Sequence, residues 1–224
     1  MKAQRSLPHH RPHHAFTLVE VFVVIVCLVA VAAIVLPMLA SRNRYSSKIG
    51  CVNQLKMLGL AARIFATDNE GLYPWQLSAT NGGTKELFRA PGHVAPHFLA
   101  LSNELIYPKI LLCPEDRKRQ VSTNFATLTD ANVSYFIGLD ATQETPNSIL
   151  SGDRHLIVNG AGARPGLLTL TSTNQLGFSR ILHPNGGCLL FGDGSVQQVT
   201  PQQLNAALAG ALTPTNTTVR LLIP

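Results

Sequence analysis

Glu20 is the only charged side chain between residues 15 and 40, which read AFTLVEVFVVIVCLVAVAAIVLPMLA. A carboxylate taken into a bilayer within such a run costs roughly 2.5–3.5 kcal/mol on insertion scales, so it needs a partner, and the segment itself offers none. The other residues able to do chemistry lie far apart. Four cysteines stand at 27, 51, 113 and 188, and His183 precedes Asp193-Gly194 with nine residues between. Thiols can bridge, bind metal or attack a substrate. No Cys-x-x-Cys is present, and the His-x-x-x-His spacings at His9/His13, His10/His14 and His93/His97 have no cysteine pair beside them, so the spacing argues against a zinc site. No Ser-His-Asp order can be defended, and there is neither a phosphate loop nor a Gly-x-Gly-x-x-Gly, so no enzyme is expected. Asp193-Gly194 reads first as a turn, because both residues tolerate positive φ. His183, beside Pro184, reads first as a hydrogen-bonding loop residue.

The apolar run is the element that positions Glu20. The 25 residues from Phe16 to Ala40 extend ~37 Å as a helix at ~1.5 Å per residue, against a hydrocarbon core of ~30 Å. Lys2, Arg5 and Arg11 precede it with no acidic residue. That asymmetry places the leader in the cytoplasm and the rest of the chain outside. Histidines 9, 10, 13 and 14 of the leader read as filler. An ordinary secretory signal would have an apolar region of about 7–15 residues and then a small-residue cleavage site. Thr17 and Glu20, at the head of the run, fit neither that pattern nor a plain signal anchor. The formal charge is +6, and three of those charges lie in the leader. The remainder forms no aromatic-interleaved stripe, and Arg117-Lys118-Arg119 reads as a solvated loop, so no nucleic-acid partner is expected.

Leader charge, FTLVE, the offset of Glu20 and apolar length together resemble the class III signal of type IV prepilins and type II secretion pseudopilins. The resemblance implies that a prepilin peptidase cuts between Ala15 and Phe16 and that the new amine of Phe16 is methylated. The family's cut normally follows Gly; Ala15 holds that position here. Glu20 becomes the fifth mature residue, the family's assembly glutamate, and Pro37 the helix-kinking proline. A second resemblance rests on Cys51-Val52-Asn53-Gln54-Leu55-Lys56, Cys113-Pro114-Glu115-Asp116 and the His183-x9-Asp193-Gly194 segment. These are similar to the motifs of one pilin-like group. Cys51 and Cys113 both sit in segments that resemble that group's cysteines. A disulfide between them is therefore the pairing the resemblance implies, closing a loop of about 60 residues at roughly 4 kcal/mol of chain entropy. Cys188 would remain free and buried in its strand, and Cys27 would pack within the span. Pseudopilins that resemble this chain often hold calcium in a C-terminal loop. Calcium takes 6–8 oxygens, for which Asp193, Asp153 and Asp140 are the candidates. No other cofactor is expected.

Beyond Pro37 the helix should continue. Ile49, Val52, Leu55, Leu58, Ala62 and Phe65 recur at spacings of three and four and form one apolar face. Gly59 within it costs roughly 1 kcal/mol against Ala, which suggests that something packs close. Gly71 should stop the helix, with Pro74 beyond. Residues 71–100 read as a loop region with turns at Gly82-Gly83 and Pro91-Gly92 and a helical turn at Glu86–Arg89. A short helix is expected between Phe98 and Pro108. Strands are expected at Ser134–Leu139, Leu156–Val158, Leu167–Leu170, Cys188–Phe191 and Val196–Thr200, the last two joined by an Asp-Gly hairpin. Gly152-Asp153 reads as the start of a turn. Thr200, Pro201 and Gln203 spell a capping box for a helix to about Ala211. Val219–Ile223 reads as an edge strand.

The expected fold is therefore α+β and pilin-like, with a long N-terminal helix packed on a small antiparallel sheet. Residues 1–15 are the leader, 16–40 the transmembrane half of the helix, and 41–224 an extracytoplasmic domain into which the helix continues to about residue 67. The expected function is structural: a single-pass inner-membrane protein whose domain faces the periplasm and which joins a filament. A pseudopilin of a type II-like secretion system comes first, and a type IV pilin for adhesion, motility or DNA uptake second. A monomeric anchored domain that binds a surface ligand is the reading from another class. The implied partners are the prepilin peptidase, other pilin or pseudopilin subunits, the assembly platform and the membrane.

Overall fold

The computed structural model describes residues 17–89, 93–183 and 186–224, without the side chains of residues 37–48. The leader, the expected cut at Ala15-Phe16, the side chain of Pro37, the Pro91-Gly92 turn and Pro184 lie outside the described residues. The chain divides into two compact units, residues 1–45 and 46–224, and helix α1 (Leu18–Asp68) carries residues of both.

In the first unit Leu18–Leu36 is apolar and long enough to cross a membrane, and none of it is buried. Thr17 closes its N-terminal end. The Thr17 backbone N–H and hydroxyl donate to Glu20 Oε2 at 3.0 and 3.1 Å, and the Glu20 N–H donates back to Thr17 Oγ1 at 3.3 Å. This reciprocal capping box corrects the expectation that the segment holds no partner for Glu20: one is supplied three residues upstream.

In the second unit, Cys51, Leu55, Leu58, Ala61, Ala62, Phe65 and Ala66 of α1 are buried at helical spacing. The helix ends as expected, with Gly71 at φ 82° and its N–H donating to Ala66 O at 2.7 Å. The loop that follows is ordered by short helical turns, among them Ala79–Asn81 and Lys85–Arg89. The single helix expected between Phe98 and Pro108 is instead two, α2 (Ala95–Leu99) and α3 (Ser102–Leu105), the latter ending at Ile106 with φ 64°. A residue in that left-handed region cannot propagate an α-helix.

Among the described residues nine strands follow: β1 (Tyr135–Gly138), β2 (Ile149–Asp153), β3 (Leu156–Val158), β4 (Ala161–Gly162), β5 (Gly166–Leu170), β6 (Leu176–Phe178), β7 (Gly187–Phe191), β8 (Val196–Val199) and β9 (Val219–Ile223). Helix α4 (Pro201–Ala211) lies between the last two and carries the expected capping box at Thr200 and Gln203. Six strands form one sheet in the order β5-β9-β1-β2-β7-β8, and β4-β3-β6 form a second. Every pairing is antiparallel. The fold is thus α+β. Two expectations are corrected. Gly152-Asp153 is the end of β2 rather than a turn, and β9 is an interior strand between β5 and β1 rather than an edge.

Both corrections have one cause: the large sheet is covered on both faces. Tyr135 and Ile137 of β1, Leu150 of β2, Leu190 of β7 and Leu222 of β9 pack with α1. Their neighbours Phe136, Ile149, Leu189 and Leu221 point the other way and pack with Leu204 and Leu208 of α4 and with Leu156 and Leu176 of the small sheet. A strand buried on both faces shows a continuous apolar run instead of alternation.

Gly59 marks where α1 comes closest to this sheet. A Cβ there would stand 2.7 Å from Cδ1 of the fully buried Leu190. At Gly210 of α4 a Cβ would meet nothing within 4 Å. The two helix glycines should therefore respond oppositely. In thermal melts Gly59→Val is expected to lose about 1–3 kcal/mol to overpacking. Gly210→Ala should gain up to about 1 kcal/mol of helix propensity. Equal responses would mean that α1 is not seated on Leu190.

Candidate functional site

The register of the large sheet sets three polar side chains in a row beneath α1. Tyr135 of β1 pairs with Asp153 of β2. Gly152 pairs with Leu189 of β7, which brings Asp153 opposite Cys188. The Asp153 carboxylate reaches across, and its Oδ2 accepts the Cys188 N–H at 2.7 Å. Cys51 comes down onto the row from α1. Its Sγ lies 3.3 Å from Asp153 Oδ1 and 3.3 Å from the Tyr135 hydroxyl. One helical turn on, Gln54 Oε1 accepts from that hydroxyl at 2.9 Å.

Two loop residues close the cluster. His183, just ahead of β7, places Nε2 3.4 Å from Asp153 Oδ2 and 3.7 Å from Cys113 Sγ. Cys113 follows the 3-10 turn Pro108–Leu111. Cys51, Cys113, Tyr135, Asp153, His183 and Cys188 are all buried, none more than 3 % exposed. The ligand atoms of Cys51, Asp153, His183 and Cys188 lie within 4.8 Å of one another. Histidine Nδ1 is buried and has no hydrogen-bond partner among the described residues.

So much polar chemistry out of water must be internally balanced. Burial opposes charge on His183, but Cys113, Cys188 and Asp153 around it raise its pKa to about 10. Burial pushes Asp153 up, against the opposing pull of His183 and the Cys188 N–H. The thiols share protons unequally. Cys51 is raised well above its usual range by its bonds to the other two sulfurs and by burial, while the bond from Cys51 lowers Cys113 to about 7 against its own burial. Cys113 is therefore more readily deprotonated than Cys51. A nucleophile, however, must be reached by its substrate, and Cys113 is 1 % exposed. The arrangement suits binding or crosslinking within the core.

A second buried pair holds the row in place. Asp116, three residues past Cys113, accepts from Arg154 Nε at 2.8 Å and Nη2 at 3.0 Å, and from Ser134 Oγ at 2.8 Å. Ser134 and Arg154 are the immediate neighbours of Tyr135 and Asp153, so this clamp fixes the ends of β1 and β2 against the Cys113 turn.

The structure sorts the sequence-selected residues unevenly. Cys51, Cys113 and His183 meet; Asp193 and Gly194 do not join them. Asp193 Oδ1 accepts the Ser195 N–H at 2.8 Å and Gly194 takes φ 83°, which is the hairpin turn. Asp140 pairs with Arg220, Nε to Oδ1 at 2.9 Å. The calcium candidates Asp193, Asp153 and Asp140 thus have separate partners and form no common group among the described residues. The Cys51–Cys113 bridge is not formed: all four cysteines are free thiols. His183, itself on a loop, meets the buried side chains of Asp153 on β2 and of Cys113 on a second loop. Within the basic cluster Arg117 and Lys118 are exposed as expected, whereas Arg119 donates to the carbonyls of Asp130 and Pro224. Spacing gave no sign of Cys188, Asp153 or Tyr135 as members of one site, because the cluster gathers from five places in the chain. The usable signal was a carboxylate at the end of the apolar run Ile149–Asp153.

The Asp116 clamp yields a prediction in two parts. Burial raises the Asp116 pKa, but Arg154 and Ser134 outweigh it and hold the carboxyl below its ordinary value. Stability from such a group is present above the unfolded pKa of about 3.9 and is lost as pH falls through the folded value. Removing one partner of a buried pair costs about 3–5 kcal/mol. Asp116→Asn should therefore lower the melting midpoint strongly at pH 7, and wild type and variant should converge below about pH 4. A variant as stable as wild type at pH 7 refutes the clamp.

Comparison with protein-family models, curated proteins and solved structures finds no match for this chain.

Proposed function

We propose that this chain is a pilin-like structural subunit of a membrane-rooted filament, in the first instance a pseudopilus of a type II-like secretion system. The observation that carries the reading is the division of labour along α1. Leu18–Leu36 is apolar and wholly exposed, which suits packing against other apolar helices or lipid. Cys51–Ala66 presents a buried face to an antiparallel sheet. The basic leader and FTLVE add the processing signal, with the inner membrane, a cytoplasmic N-terminus and a periplasmic domain as the topology.

Glu20 gives the reading its mechanism. Its one described partner is Thr17, at the start of the helix. A peptidase cut before Phe16 would place a new amine one residue ahead of that cap. Within a bundle of apolar helices the amine of one subunit and the Glu20 carboxylate of its neighbour would neutralise each other. That offsets the roughly 2.5–3.5 kcal/mol that the carboxylate costs in lipid. A simple tether needs neither the cut nor the carboxylate and should tolerate any equally apolar helix.

Two measurements test this. The intact mass of the membrane-extracted protein is expected to lack residues 1–15 and to carry one added methyl group. A chain still beginning at Met1 or Lys2 sinks the proposal. Glu20→Ala should insert and be cleaved normally but yield few filaments or little secretion. Wild-type yield from that variant leaves the tether as the better reading.

A further inference from the structure

We infer that the buried cluster is a structural metal site for zinc, held by Cys51 Sγ, Cys188 Sγ, His183 Nε2 and Asp153 Oδ1. The donors are those zinc prefers, sulfur, imidazole nitrogen and a carboxylate oxygen, and they number four. In a tetrahedral site with bonds of about 2.0–2.3 Å, ligand atoms lie about 3.3–3.8 Å from one another. Cys51 Sγ and Asp153 Oδ1 are 3.3 Å apart, His183 Nε2 reaches the same carboxylate at its other oxygen, Oδ2, at 3.4 Å, and all four ligand groups fall within 4.8 Å. The widest separation of up to 4.8 Å thus needs closing by about 1 Å to reach tetrahedral spacing, a shift of side chains and not a rebuilding of the fold.

The hydrogen bonds inside the cluster are also those a metal would replace. Among the described residues Asp153 Oδ1 receives only the Cys51 thiol, so loss of that proton on binding frees the oxygen and the sulfur together. Oδ2 keeps the Cys188 N–H at 2.7 Å, which orients the carboxylate as an outer-sphere bond orients a metal ligand. Binding releases one proton from each ligating thiol, and one from His183 where it is charged, with no change of oxidation state. Cys113 Sγ, 3.7 Å from His183 Nε2, adds a further soft donor at the rim. A cleft of about 200 Å³ whose lining includes His183, Cys188, Gln198 and Thr200 gives an ion a way in. The bound ion would join α1, β2, β7 and the His183 loop at one point, a crosslink that a disulfide between two of the cysteines would not equal. The inference does not rest on the filament proposal, since an unprocessed chain would bind the ion equally well.

The test uses the full chain, purified in detergent under reducing conditions. Elemental analysis is expected to find about one zinc per chain, and cobalt in its place should show thiolate-to-cobalt charge-transfer absorption. Chelator should lower the melting midpoint and expose Cys51 and Cys188 to alkylation. Cys188→Ser and His183→Gln each remove a direct ligand and should weaken zinc binding by more than the roughly 10–100-fold that loss of an outer-sphere partner costs, and Cys27→Ser should leave it unchanged. Because a ligand variant can also fail to fold, wild type decides. A folded wild-type chain that takes up no zinc from a zinc buffer overturns the inference. So does peptide mapping of chain isolated without reductant that links Cys51 to Cys113 or Cys188.

Discussion

Asp153 is a carboxylate with 1 % exposure at the end of a strand, and much of the second unit is organised around keeping it there. Leaving a carboxylate unpaired in that position would cost several kcal/mol. Its partners come from every direction: a backbone N–H from β7, a thiol from α1, an imidazole from the loop before β7. Each partner constrains an element. The sheet register must put Cys188 opposite Asp153. Helix α1 must lie with Cys51 facing down. The His183 segment must fold back over β7. The polar cluster thereby specifies alignments that apolar packing alone, which is non-directional, would leave looser.

Around this point the sheet is sealed on both faces. Helix α1 covers one, and α4 with the small sheet covers the other. Glycines at the tightest approaches make this possible. Gly59 lets α1 settle on Leu190, and Gly152 lies against Phe136, Leu189 and the Cys188 carbonyl. Double coverage also explains why β9, which reads as a marginal edge strand, ends up interior: four of its five residues are buried. The Asp116–Arg154 pair then acts as a buttress from outside, since it holds the residues flanking Tyr135 and Asp153 and not the cluster itself.

Thr17 and Glu20 show the same economy at the other end of the chain. The carboxylate is exposed at the first turn of an apolar helix, yet its hydrogen bonds to Thr17 satisfy an otherwise orphaned backbone donor. One residue can thus cap its own helix and still offer charge to a neighbour, which a charge deeper in the run could not do.

Local patterns in the sequence were enough for features whose physics is local. The apolar run from Leu18, the stop at Gly71, the Asp193-Gly194 hairpin and the capping box at Thr200 all depend on residues within a few positions of one another, and they can be read directly. So can the buried face of α1, because its period is fixed by the helix. The polar cluster could not be read that way. Cys51, Cys113, Asp153, His183 and Cys188 span most of the second unit, and their meeting depends on which strands pair and in which register. Metal-ligand spacing rules detect sites built from one or two turns and fail when each ligand comes from a different element. Gly152-Asp153 misled for a related reason: Gly-Asp favours turns in isolation, but a carboxylate given three partners by its neighbours can stay in a strand. What the sequence settled was the helix, its caps and its turns; the tertiary structure alone decided which polar residues share the core, because only packing brings distant side chains within bonding distance.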